Sequence, residues 1–258
     1  MCIKSLGING VGAMIAKYLN EIKELLTILE KEESQKMKNA ARAVAECIQN
    51  HGIIHVFGCG HSHMLGEELF YRAGGLAPIK PLFVEDLMLH KGAVRSSFME
   101  KQNDLAESFM ENADIQPGDV VIVASTSGRN PVPVDVAEIS KESGAFVIGI
   151  TSPRYANTQS SRHKNGKYLF SSVDLVIDNH IEPGDALMEH PALGIRFGSA
   201  SSIIGFAIVN SLMAEAVEVM IENGFEPPIF KSGNVDGAEQ HNRELVKRYK
   251  SRIPLLEG

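Results

Sequence analysis

Hydrophobic positions along this chain alternate between three- and four-residue spacing and short unbroken runs, and that alternation predicts helices interleaved with buried strands. From Met14 the spacing is helical, with Ile15, Tyr18, Leu19, Ile22, Leu25, Leu26 and Leu29 on one face. A second helix follows, capped by Ser34, with Met37, Ala40, Ala41, Val44, Ala45 and Ile48 on its buried side and Gly52 as its stop. Short segments over 53–57, 80–84, 120–123, 145–150 and 175–177, apolar but for His55, Lys80 and Pro81 in the first two and Gly149 in the fourth, then read as strands. Helical patterns over 64–73, 104–112 and 134–141 separate them, and the polar stretch 154–167 reads as a surface excursion. The longest helix is expected over 199–223, ending at Gly224. Its centre, 203–209, is apolar nearly all round, but Asn210, Glu215 and Glu218 interrupt it. That favours burial in a core or against a second subunit over a membrane. About five strands separated by helices predict an α/β fold, a three-layer α/β/α sandwich around a parallel sheet. With no internal linker, 1–258 reads as one domain: a loose extension 1–13, N-terminal helices 14–50, an α/β core 51–224 and a tail 225–258.

Composition narrows the function classes. The formal net charge is −7 and no basic run precedes 247–252, which argues against nucleic acid as a partner. Cys2, Cys47 and Cys59 show no CxxC spacing, as expected of a reduced, cytoplasmic protein. The weakly apolar start is broken by Asn9, Gly10 and Gly12, a poor match to a signal peptide. Gly7 to Gly12 faintly match a dinucleotide fingerprint, but no strand precedes them.

The most informative stretch is the strand 120–123 running into Ser125-Thr126-Ser127-Gly128, then Asn130, Pro131 and a helix. Hydroxyls, a glycine that admits close backbone approach and the free N–H groups of a helix start suit a phosphate. A turn whose Ser and Thr only cap the helix is the alternative. Gly58-Cys59-Gly60-His61-Ser62-His63 follows the first strand in the same strand, turn, helix arrangement. Neither turn carries the P-loop pattern G-x-x-x-x-G-K-[ST], so a nucleotide reading has little support.

Together, Gly60-His61-Ser62 and Ser125-Thr126-Ser127-Gly128 resemble the paired loops of sugar isomerase (SIS) domains. In that family the central loop reads S-x-S-G with a hydroxyl residue two positions on, a position that is Asn130 here. Asn234-Val235-Asp236 followed by His241-Asn242 is similar to the end of the isomerase domain of glucosamine-6-phosphate synthase, which folds back towards the sugar. The resemblance implies a flavodoxin-like fold, a phosphosugar ligand and a tail returning to the site. The implied substrate-binding residues are Gly60, His61, Ser62, Ser125, Thr126, Ser127, Gly128, Asn130 and Asn242.

Family members include aldose–ketose isomerases such as phosphoheptose isomerase, a lyase of N-acetylmuramic acid 6-phosphate, and non-catalytic sensors. An enzyme that isomerises a heptose or N-acetylamino sugar 6-phosphate, or eliminates from it, is therefore expected, with a sensor as the alternative. Either reaction needs a group that takes a proton beside a carbonyl. Glu68 is one candidate, although relatives place their glutamate at the position of Arg72. Glu85 and His90 lie on a loop after a strand end, and His241 from the tail is a further candidate, acting across a dimer interface as in the family. Some phosphoheptose isomerases bind zinc through a His and a Glu here plus a Gln and a His on the last long helix. Residues 199–223 contain neither type, so no metal and no other cofactor is expected. The apolar helices predict a homodimer or a larger homo-oligomer.

Overall fold

The computed structural model describes residues 12–257. Most of the expected extension 1–13 lies outside them. Five strands, β1 (Ile54–Gly58), β2 (Ile79–Pro81), β3 (Val120–Ala124), β4 (Phe146–Thr151) and β5 (Leu175–Asp178), form one parallel sheet in the order β2-β1-β3-β4-β5. This is the expected flavodoxin-like α/β arrangement. Every residue of β1 and β3 is buried, because helices cover both faces of the sheet.

One face carries α1 (Ala13–Gln49), α2 (Met64–Leu69) and α7 (Ser201–Glu222). The other carries α5 (Pro131–Glu142), with the shorter α3 (Ala93–Met99), α4 (Glu107–Met110) and α6 (Leu169–Ser172). The two helices expected over 14–50 are one continuous helix, α1. Ser34 does not cap a new helix; its hydroxyl donates back to Glu30 O within the same one. The polar run that reads as a break is accommodated because Glu33 is buried and paired, with Lys36 at 2.9 Å and the Asp178 N–H at 3.1 Å.

α7 is long and apolar enough to cross a bilayer by length and composition, with mean hydropathy 1.7. In this fold Ile204, Ile208, Val209, Leu212 and Met220 instead lie in the core against α1 and the sheet.

The tail forms α8 (Ala238–Tyr249); its Leu245 and Tyr249, with Ile253 beyond the helix, pack onto Ile53 and Ala77 at the amino ends of the strands. There Asp119 accepts hydrogen bonds from Ile53 N–H (2.9 Å), Gln116 N–H (2.9 Å), His55 Nε2 (3.0 Å) and Arg252 Nη2 (2.7 Å). Within the chain, the tail therefore closes the end of the sheet opposite the hydroxyl-rich turns, and does not fold back to them.

Candidate functional site

Strand order reverses between β1 and β3, so the loops leaving their carboxyl ends flank a crevice, the usual ligand position in open α/β sheets. The first loop departs at Gly58. A Cβ there would lie 2.5 Å from the Ser62 carbonyl carbon, so glycine is required for the chain to fold into the 3-10 turn Gly60–His63. Ser62 N–H donates to Cys59 O at 3.0 Å and fixes that turn.

The second loop is pinned from below. Ser125 N–H donates to Ile150 O (3.0 Å), Ser152 N–H to Thr126 O (2.9 Å) and Leu169 N–H to Gly128 O (2.8 Å). Gly128 has φ 57°, and a Cβ on it would sit 2.6 Å from Thr151 Oγ1. Its N–H donates to Ser125 Oγ at 3.3 Å. The half-buried hydroxyls of Ser62 and Ser127 have no hydrogen-bond partner among the described residues.

Three more polar groups reach the crevice that the sequence motifs do not include. Asn179, after β5, donates through Nδ2 to Thr126 Oγ1 at 3.1 Å, and Ser201 and Ser202 open α7 on the facing side. His180 is buried 3.6 Å from Glu33, so α1 braces the strand end that carries Asn179. These residues enclose a free volume of about 10 Å³, room for roughly one water. A groove of ≈ 280 Å³ between α1 and α7, lined by Leu26, Met37 and Ala207, lies away from both loops.

The helix starts contribute less than their positions promise. Pro131 and Pro133 remove two of the first N–H groups of α5, and Val132 N–H is directed at Glu100 O, 3.4 Å away. At α7 the positive end is already occupied by Asp185, which accepts Ala200 N–H (2.9 Å), Ser201 N–H (3.0 Å) and Ser201 Oγ (2.6 Å). The start of α5 therefore has few free amides of its own to offer an anion. Positive charge comes instead from the loop over 154–168. Arg162 Nη1 donates to Asn130 Oδ1 at 2.9 Å, and Arg129, bonded to Ser160 O and Gln159, lies beside it. Burial and the neighbouring Arg162 charge both lower the Arg129 pKa.

The other expected site residues are dispersed. His61 is exposed at the rim, and His63 is bonded to Gly60 O and paired with Glu67 at 3.3 Å. Glu68 is held by Arg72 (2.8 Å) and by Asn210 of α7 (2.9 Å), one helical turn beyond Leu65 of the crevice wall. Glu85 is exposed and paired with Lys91 at 3.1 Å. His90 is exposed above the first loop, its ring 6.5 Å from that of His63. A Cβ added to Gly60 would lie 3.9 Å from Leu89 Cδ2, so 85–92 borders the first loop. His241 and Asn242 are at the far end of the sheet, bonded to Ile229 O (2.8 Å) and to both backbone groups of Lys231. No group of three His, Cys, Asp or Glu side chains among the described residues is placed to hold a metal ion.

A family model for the SIS domain matches residues 17–152. A UPF0309 protein of Halalkalibacterium halodurans is 58% identical over 243 residues, covering 94% of this chain and 97% of that one. A UPF0309 protein of Listeria innocua is 52% identical over 243 residues, covering 94% and 98%. Among solved structures, the phosphoheptose isomerase of Neisseria gonorrhoeae aligns with a TM-score of 0.50 at 15% identity, over 80% of this chain and 97% of that one. That last likeness is one of fold.

Proposed function

We propose, for a chain that belongs to the SIS domain family, that the crevice between the β1 and β3 loops binds a phosphosugar and that the protein is an isomerase or lyase acting on it. The observation that carries this reading is the convergence of Ser62, Ser125 and Thr126 on one switch point, with Ser127 next in the same loop and the Asn130–Arg162 hydrogen bond at that loop's end. In it, the phosphate is held by loop hydroxyls and by the amides around Gly128, since α5 offers few of its own. The sugar lies towards His61 and the loop 85–92.

The substrate in this reading is a heptose or N-acetylamino sugar 6-phosphate, and the reaction begins with proton abstraction beside a carbonyl. A non-catalytic sensor is the second reading. It is favoured by one observation: Glu68 and Glu85, acids nominated by sequence, are engaged by Arg72 and Lys91. The reading also places the protein in the cytoplasm as a homodimer or larger assembly, in which His241 of one subunit can approach the crevice of another.

Proton NMR of the protein with a mixture of hexose, heptose and N-acetylamino sugar phosphates tests the proposal, with Ser127→Ala as the control. Loss of one hydrogen bond to a charged group is worth about 1.5–3 kcal/mol, or roughly a 10- to 150-fold weaker affinity. New product signals, weakened in the variant, support the enzyme, and vinyl protons identify elimination. Line broadening without product supports the sensor. Absence of both would exclude phosphosugar binding.

A further inference from the structure

The hydroxyls that line the crevice are not equivalent, because the groups behind them decide where each proton points. A hydroxyl donates one hydrogen bond and accepts two. On the wall formed by the second loop, Asn179 makes the choice. It is 2% exposed, and its Oδ1 accepts Ile181 N–H at 3.2 Å, so the amide turns Nδ2 towards Thr126 Oγ1, 3.1 Å away. Thr126 Oγ1 is thus an acceptor on its framework side, and its own proton has no acceptor among the described residues. Ser125 Oγ is held in the same sense by Gly128 N–H at 3.3 Å. Both hydroxyls therefore keep their protons for whatever enters the crevice.

On the facing wall the sense is reversed. Asp185 accepts Ala200 N–H (2.9 Å) and Ser201 N–H (3.0 Å) through Oδ1, and Ser201 Oγ donates to its Oδ2 at 2.6 Å. With that proton engaged, Ser201 offers the crevice only lone pairs. Both braces follow or occupy left-handed backbone, His180 at φ 54° and Asp185 at φ 48°, a conformation that persists only where packing fixes it. Leu65, Ala124, Ile150 and Gly205 complete the lining, and no charged side chain is part of it. In such surroundings a ligand group of the wrong sense leaves both partners unpaired, at a cost larger than one hydrogen bond gains.

We infer that Asn179 and Asp185 are positioning residues that give the crevice a donor wall, Ser125 and Thr126, and an acceptor wall, Ser201. On the phosphosugar reading above, on which this assignment rests, the phosphate oxygens meet the donor wall and the sugar hydroxyl nearest to them donates to Ser201 Oγ.

The test is Asn179→Asp, which keeps an acceptor for Ile181 N–H but turns a second acceptor to Thr126 and so draws its proton out of the crevice. Titration calorimetry with fructose 6-phosphate, sedoheptulose 7-phosphate and N-acetylglucosamine 6-phosphate compares each variant with the wild type at the same pH. At pH 8 the variant should bind whichever probe the wild type binds at least about tenfold more weakly. At pH 5 the deficit should shrink to about threefold or less, because a carboxyl buried at that position takes up a proton and then donates to Thr126 as the amide does. In a Thr126→Val background the same substitution should change affinity at pH 8 by less than about threefold. An equal loss in that background means that the new charge acts on the ligand directly, and it overturns the assignment of Asn179, as does unchanged affinity of Asn179→Asp at pH 8. Ser201→Ala tests the same polarity should Asn179→Asp fail to fold. It should weaken the sugar phosphate at least about fivefold and leave methyl phosphate, which has no donor, within about twofold. Equal weakening of both probes, or of neither, overturns the acceptor wall. A wild type that binds sugar phosphates while the variants depart from this pattern spares the phosphosugar reading, whereas a wild type that binds no probe ends both.

Discussion

Gly128 offers the sharpest test of how the second loop is built. In Gly128→Ala the backbone would keep φ near 57° with a side chain attached, which costs roughly 1–2 kcal/mol for an L-residue. The new Cβ would also stand 2.6 Å from Thr151 Oγ1 and 3.3 Å from Leu169 Cβ, and such overpacking typically adds about 1–3 kcal/mol. The sum is about 2–5 kcal/mol. At about 2–4 °C per kcal/mol for a chain of this size, Tm should fall by roughly 4–20 °C. Binding should suffer more than stability alone implies, because Thr151 Oγ1 donates to Thr126 O at 3.4 Å and any retreat of Thr151 displaces Thr126. Scanning calorimetry measures the first effect, and titration of the variant with the phosphosugar, well below its Tm, measures the second. Gly194 is the control, since a Cβ there meets nothing within 4 Å, and Gly194→Ala should change Tm by no more than about 1–2 °C. A Gly128→Ala protein with wild-type Tm and full affinity would show that the loop does not depend on this close approach.

Two further predictions concern regions away from the crevice. Burial alone would raise the Asp119 pKa, but hydrogen bonds from His55, Arg252, Ile53 N–H and Gln116 N–H outweigh it and hold the carboxyl well below its ordinary range. Its stabilisation is therefore full above the unfolded value of about 4 and is lost as pH falls towards the depressed native value. Asp119→Asn should cost about 3–5 kcal/mol at pH 7 and flatten the acid limb of urea stability curves, whereas parallel curves would contradict the clamp. The exposure of Ile15 (68%), Leu19 (51%) and Ile203 (41%) on α1 and α7 accords with the proposed self-association, and a monomer in sedimentation at micromolar concentration would refute it.

Much of the sheet was legible because β3 is an unbroken apolar run and β1 is apolar apart from His55, both stopping at glycine- or hydroxyl-rich turns, and burial on both faces demands nearly that pattern. The continuity of α1 was hidden. Ser34 after two glutamates imitates a helix start, and only the distant backbone of Asp178 explains why Glu33 tolerates burial. The prolines at the start of α5 were visible in the sequence, and their missing N–H groups already argued against an amide-bound anion there. Asn179, Ser201 and Ser202 carry no motif, because their meeting with Thr126 depends on where β5 and α7 end up in space.

The pairing of α1 with α7 also shapes how the chain is made. Tyr18 OH donates to Ser199 O across 181 positions of sequence, and Gln49 meets Asn223 across 174. A ribosome therefore finishes α1 long before the helix that covers it exists, and the stripe through Ile22, Leu29 and Val44 has to wait without its final neighbour. Parallel sheets with such distant contacts assemble slowly, and transiently bare apolar surface attracts other chains. Nascent molecules of this protein should therefore be chaperone clients until α7 emerges. Slowing translation between the codons for β5 and α7 should lower soluble yield, although it alters no residue of the finished molecule.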